Sequence, residues 1–256
     1  MKVHLLRHAT SIINYHGLQF LVDPMLSPAG AIEPVANSGN TLRNPLVDLP
    51  VSAEELRKLL QNIDAVLVTH THLDHWDAQA GALLSKDLPI FCQPEDQEAF
   101  ARAGFTKIRP VIDHVEWQGV LISRTGGQHG TGEIGKKMGQ VSGFVLSAEQ
   151  EPTLYIAGDT IWCAEVKQAL QEFRPEVVVL NTGAATFVVG DPITMTADDV
   201  FQVCRTLPAA KVVAVHLEAI NHCRLKRSEL KEQVEQEGLI QQVAIPADGE
   251  VLTYAL

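Results

Sequence analysis

The sequence predicts a mixed α/β fold in which helices cover sheets. Short apolar runs of strand character, such as Ile63-Asp64-Ala65-Val66-Leu67-Val68 and Val177-Val178-Val179-Leu180-Asn181, alternate along the chain with segments of helical pattern. The second run is apolar almost without interruption, as a strand covered on both faces should be. Hydrophobic residues make up 46% of the 256, enough for a sizeable core. No linker, residue repeat or low-complexity tract divides the chain, so residues 1–256 read as one domain.

Taken in order, residues 3–13 read as a strand, 14–17 as a turn and 18–22 as a second strand closed by Asp23-Pro24, which together make a β-hairpin. Residues 25–50 are rich in Pro, Gly, Asn and Ser and read as a long loop, a length at which loops are often lids. Arg43 is the one cation in it. Ser52-Ala53-Glu54-Glu55 has the cap and acidic first turn of a helix whose apolar face is Leu56, Leu59 and Leu60. Helices are expected over 77–84 and 96–103, the latter stopped by Gly104, with a strand over 89–92 between them. Residues 108–122 hold two strands, the second running toward His129. Six glycines between Gly126 and Gly139 surround Lys136 and Lys137 and suggest a loop of mobile backbone, the lysines either solvated or binding phosphate. A hairpin over 141–157 ends at Asp159. A helix over 162–172, the strand 177–181, a helix from Thr196, a strand over 211–215 and a charged helix over 228–237 complete the pattern.

Chemistry concentrates where the strand over 63–68 runs into Thr69-His70-Thr71-His72-Leu73-Asp74-His75. Alternate strand residues point the same way, so His70 and His72 leave on one face, and the following turn brings Asp74 and His75 back toward them. Imidazole suits zinc, iron, nickel or copper and carboxylate suits harder ions, so the mixture fits a borderline divalent metal, or two side by side. Two metals need further ligands. His129 beside glycine, Asp159 in Gly158-Asp159-Thr160 and His216 at the end of Val212-Val213-Ala214-Val215 are the candidates.

With these additions the sequence resembles the metallo-β-lactamase superfamily. The His-rich signature, a later His-Gly, a Gly-Asp-Thr and a final strand ending in His follow in the family's order through most of the chain. The resemblance implies a four-layer αββα sandwich with its cleft along one edge of the sheets. It further implies that His70, His72 and His129 hold one metal, that Asp74, His75 and His216 hold a second, and that Asp159 bridges them. Zinc is favoured, with manganese or iron as alternatives. Two cations about 3.5–4 Å apart hold a shared water as hydroxide near neutral pH, the nucleophile of a dinuclear hydrolase. Asp74 would act as a catalytic residue by orienting it. His222, six residues beyond His216, is the candidate to protonate the leaving group. Members resembling this chain carry His-Ala-Thr where His8-Ala9-Thr10 stands, so His8 either approaches the site or is an ordinary hydrogen-bonded histidine. The glycine-rich segment after His129 and the Asp23-Pro24 turn resemble the ascorbate-6-phosphate lactonase branch, whose members are longer.

A net charge of -11 argues against a general nucleic-acid surface, which needs a basic stripe. A small molecule is the expected partner: an anionic lactone, ester or phosphorylated metabolite, with Lys136, Lys137, Arg43 and Arg224 placed to attract one negative group. The competing readings are a phosphodiesterase or nuclease of the ribonuclease Z type and a metal-binding sensor without turnover. A signal peptide and a membrane span are not expected, so the location expected is cytoplasmic. A homo-oligomer is compatible with the sequence. Cys92, Cys163, Cys204 and Cys223 are widely spaced and read as buried thiols.

Overall fold

A computed structural model describes residues 1–255 of the chain. An antiparallel meander opens it: β1 (Lys2–Arg7), β2 (Thr10–Tyr15) and β3 (Leu18–Val22). After the long loop come α1 (Ala53–Gln61), β4 (Ala65–Val68), α2 (Ala78–Leu83), β5 (Ile90–Cys92), α3 (Gln97–Arg102) and β6 (Ile108–Pro110). Strands β3 to β6 pair in parallel, the arrangement that intervening crossover segments permit. The second sheet begins antiparallel with β7 (His114–Trp117), β8 (Val120–Gly126), β9 (Ser142–Ser147) and β10 (Leu154–Ile156), with α4 (Gly132–Met138) between β8 and β9. It turns parallel through α5 (Ala164–Phe173), β11 (Val177–Asn181), α6 (Ala197–Thr206), β12 (Lys211–Val215), α7 (Arg227–Gln236) and β13 (Val243–Ala244). β14 (Val251–Thr253) returns to the first sheet beside β1. The orders are β14-β1-β2-β3-β4-β5-β6 and β13-β12-β11-β10-β9-β8-β7.

The period-two alternation of strand side chains builds four layers. In β4, Ala65 and Leu67 face the second sheet, where they join Phe144, Ile156 and Val179. Val66 and Val68 face outward onto Leu56 of α1, Ala80 of α2 and Phe100 of α3. In β11, Val177 and Val179 face inward while Val178 and Leu180 meet Val166 of α5, Phe201 of α6 and Leu230 of α7. The result is the αββα sandwich. Both helix starts marked by capping sequences carry the reciprocal bonds, Ser52 with Glu55 and Thr196 with Asp199. Among the described residues, no helix is long and apolar enough to cross a membrane.

Four expectations are corrected. Residues 3–13 form two strands because His8 adopts φ +61° and folds the chain back on itself. The polar Arg7-His8 pair inside an apolar run marks the place: buried Arg7 donates to the carbonyls of Met25, Ser27 and Val47 and so fastens the long loop. Residues 108–126 hold three strands, not two. The glycine-rich segment is not one loop but contains α4, and two of its glycines, Gly130 and Gly135, serve close packing. A Cβ on Gly130 (φ +100°) would lie 2.7 Å from Ile193 Cγ2, and one on Gly135 would lie 2.5 Å from the Gly130 oxygen. Finally, β13 and β14 follow α7; strands of two and three residues are too short to show a period.

Candidate metal centre

The ligand-type side chains all lie just beyond strand C-termini, and the loops there converge. β4 leads into His70, His72, Asp74 and His75; β8 leads to His129, β10 to Asp159 and β12 to His216. The turn that delivers Asp159 needs glycine before it: Gly158 has φ +67°, and a Cβ there would stand 2.6 Å from the Ser142 oxygen. His216 (φ +67°) donates its backbone N–H to the His8 carbonyl over 2.9 Å, which joins the two turns that wall the site.

All seven residues named from the sequence come together. Three groups have ligand atoms within 4.8 Å of one another: His70, His72 and His129; His70, His75 and Asp159; and His8, Asp74, His75 and His216. His75 Nε2 and His216 Nε2 each stand 3.3 Å from Asp159 Oδ1, and His129 Nε2 stands 3.5 Å from Asp159 Oδ2. Asp159 therefore lies between the histidines of both halves.

Whether these residues suit a metal is decided by their outer nitrogens. His75 Nδ1 donates to Asp23 Oδ2 over 2.8 Å and His129 Nδ1 donates to the Ile193 carbonyl over 2.8 Å. Thr69 Oγ1 gives its proton to Asp23 Oδ2, so it accepts from His70 Nδ1 at 3.1 Å. In each of these three rings Nδ1 carries the outward proton, so it is Nε2 that faces inward and is free to bind a metal once it gives up any proton, the arrangement that metal-binding histidines need. His75 Nε2 and His216 Nε2 are buried without a hydrogen-bond partner. Buried polar atoms left in that way ask for an explanation, and a cation supplies one. The cluster is therefore able to hold metal.

The electrostatics agree. Burial opposes ionisation of Asp159, yet His216 and His75 hold its carboxyl well below the usual carboxylate range. Asp74 is likewise held low against burial, by His75 first and then His216 and His8. In return, against the downward pull of burial, Asp159, Asp23 and Asp74 carry His75 up to about 10, and Asp159 leads in raising His216. Buried Asp159 and half-buried Asp74 create a field that draws positive charge into this spot, and a divalent cation answers the same field.

Beside the cluster opens a chamber of about 340 Å³, walled toward the cluster by His72, Asp74, His129 and Asp159, on another side by the polar Glu33 and Asn44, and for the rest mainly by apolar residues such as Pro34, Val35, Met138, Phe187 and Ile193. His222 also lines it, buried, its ring 5.8 Å from that of Phe187; burial pushes it down to about 4. His8 is at the site rather than remote: its Nε2 donates to Asp74 Oδ2 at 3.2 Å and its ring lies 3.5 Å from that of His216. Three of the four cations expected at the mouth are engaged with other groups, whereas Lys137 lines an adjoining cavity. Arg43 binds Glu33 and the Gly30 and Ala31 carbonyls, Lys136 binds Glu133, and Arg224 binds the Ser38 carbonyl. Among the described residues, no Lys or Arg lines the chamber.

Three further residues support the site. Asp23 accepts from His75 and from Thr69 through both N–H and Oγ1, so the Asp23-Pro24 turn is part of the site. Asn181, which the sequence offers either as a turn former or as a hydrogen-bond donor near the cleft, donates to Asp159 Oδ1 over 2.7 Å. Cys223 is half-buried, unlike the other three thiols, with its Sγ 3.6 Å from His216 Nδ1. The signal for Asp23 and Asn181 is their position: each ends a strand neighbouring one that carries ligands.

Comparison with known proteins places this geometry. Residues 19–217 match the model of the beta-lactamase superfamily domain. The curated UPF0173 protein YddR of Bacillus subtilis (strain 168) is 35% identical over 260 residues, covering 99% of this chain and 100% of its own. The crystal structure of an isothiocyanate hydrolase from Delia radicum gut bacteria superposes with a TM-score of 0.94 at 41% identity, with 100% of both chains covered. A possible metal-dependent hydrolase from Veillonella parvula DSM 2008 gives a TM-score of 0.95 at 35% identity over 99% of each chain.

Proposed function

The chain belongs to the beta-lactamase superfamily and, within it, to the UPF0173 metal-dependent hydrolases, and from that premise we propose that it hydrolyses a small, largely apolar electrophile, an isothiocyanate first among them. The observation that carries this reading is an apolar chamber, free of Lys and Arg among the described residues, set directly on the convergent His/Asp cluster. We read the chain as one metallo-β-lactamase-fold domain with a dinuclear site: His70, His72 and His129 for one ion, Asp74, His75 and His216 for the other, Asp159 between them. Zinc suits this imidazole-rich set best, ahead of manganese or iron. When bound, the ions supply Lewis acidity and an activated water.

This chain's own residues do the rest. His8 holds Asp74 Oδ2, leaving its other oxygen to orient the attacking water. Hydrolysis of R–N=C=S forms a bond from the water oxygen to the central carbon while the C=N π pair moves to nitrogen. Nitrogen takes both water protons in turn, and cleavage of the C–N bond releases R–NH2 and carbonyl sulfide. His222, neutral near pH 7 because burial lowers it, offers an N–H and a lone pair from the chamber wall and is the residue we assign to carry a proton to that nitrogen.

A lactone or ester carbonyl is attacked by the same route, and these form the second reading. A phosphorylated substrate, as in the ascorbate-6-phosphate lactonase branch, stands behind both because, among the described residues, no Lys or Arg lines the chamber to pair with the phosphate. The deciding experiment is a panel of isothiocyanates, lactones, esters, RNA and a cyclic phosphodiester, run with and without chelator. Isothiocyanates should show the highest kcat/KM, lost with chelator. A highest value for RNA or the cyclic phosphodiester would overturn the reading, and no turnover with metal bound would point to a sensor.

A further inference from the structure

A second cavity of about 710 Å³ adjoins the chamber at the metal centre, and Val35, Ala36, Met138 and Phe187 line both. Its remaining walls are Asn37, Ile134, Lys137, Val188 and Val189, so it is apolar but for its lip. Three segments build it, and they are tied together. The Val188 N–H donates to the Asn37 carbonyl over 2.8 Å, and Ile134 of α4 packs onto Gly190. Val188 and Val189 are 66% and 77% exposed, although they flank a hydrophobic cavity rather than a polar surface. Phe187 stands at the passage, shared by both cavities, its ring tilted against that of His222.

We propose that this outer cavity is a subsite for the apolar substituent of the substrate, so that the protein acts on electrophiles carrying a long alkyl or arylalkyl arm rather than on the smallest members of their class. The inference rests on the reading of the inner chamber as the reaction site. The occupant follows from continuity: a molecule whose reactive carbon sits at the His/Asp cluster lies in a chamber that shares the apolar walls Val35, Ala36, Met138 and Phe187 with this cavity, so an apolar arm can extend along them. Burying the arm removes it from water, and each added methylene should tighten binding about fourfold, from roughly 0.8 kcal/mol per buried CH2. Val188 and Val189 then cover the arm and lose their own exposure. Lys137, at the lip, tolerates a polar end group on the arm.

Two series test this separately from catalysis. Straight-chain hydroxamic acids, acetyl to decanoyl, are titrated calorimetrically into zinc-loaded protein, and n-alkyl isothiocyanates, methyl to octyl, are assayed for carbonyl sulfide release. Hydroxamate affinity should climb through the series. Val188→Asp and Val189→Asp, at exposed positions outside the metal cluster, should weaken the longest members at least tenfold and leave acetohydroxamate unchanged. A slope that holds while no isothiocyanate is turned over keeps the subsite and removes the isothiocyanate reading. Isothiocyanate turnover with affinity flat in chain length, with no hydroxamate binding, or with both aspartate variants silent on long chains, removes the subsite and keeps the reaction.

Discussion

Asp159 is the residue around which the histidines converge, since His75, His129 and His216 all face its carboxylate. Asp159→Asn should weaken both metals together and lower turnover by orders of magnitude. Cys163→Ala, which removes a buried thiol 3.4 Å from Thr160 Oγ1 and from no ligand, should leave metal content and rate nearly unchanged. The reverse pattern would remove the bridging role. Asp23→Asn probes the next shell outward: it keeps every ligand but loses the charge that fixes the His75 and, through Thr69, the His70 tautomer. Metal affinity, measured by competition with a chromophoric chelator, should fall about 10- to 100-fold with the circular dichroism spectrum intact. Retained affinity would make Asp23 a purely structural turn residue. Four of the seven ligand-type residues were legible in sequence because three His and one Asp crowd into six positions; His129 beside glycine and Asp159 and His216 after apolar strands were legible only because they follow in the order of the family the sequence resembles. Asp23 was not, because its partner His75 lies 52 residues away and only the sheet brings them together.

At the scale of elements, strand ends carry the site and the turns beyond them carry the strain. Gly158→Ala forces a Cβ against the Ser142 oxygen at a positive φ, so it should cost about 1–3 kcal/mol and displace Asp159. The expected outcome is a lower melting temperature together with lower metal stoichiometry. A loss of stability with full metal content would show that the turn can shift without moving its carboxylate. Elements with a clear period or cap were readable: α1 and α6 from their capping boxes, β4 and β11 from apolar runs. Those that depend on tertiary contact were not. The break at His8 exists because Arg7 and His8 turn inward to opposite tasks, one fastening the long loop and the other holding Asp74. The glycines around α4 suggest mobility in sequence, whereas in the fold Gly135 lets the helix lie against Gly130, and Gly130 in turn lies against Ile193.

In the whole molecule the cluster spans the two sheets. His70, His72, Asp74 and His75 follow β4 of the first sheet, while His129, Asp159 and His216 follow β8, β10 and β12 of the second. Metal held by residues from both sheets therefore resists their separation, and a ligand that binds only the folded chain stabilises it by RT ln(1 + [L]/Kd). With free zinc at a thousand times Kd this amounts to about 4 kcal/mol, or roughly 10 °C in melting temperature for a chain of this size. Chelation should thus lower the melting temperature by about that amount, reversibly on return of zinc, and elemental analysis should find close to two ions per chain. Hydrogen exchange locates the effect: without metal, amides near His216 and Asp159 should exchange faster while those in the middle of β9 and β11, buried among the inter-sheet side chains, keep their protection. Equal loss of protection through both sheets would mean that the metal organises the entire core. No change in melting temperature, with two ions bound, would mean that the sheets are held by their apolar interface alone and that the metals serve chemistry only.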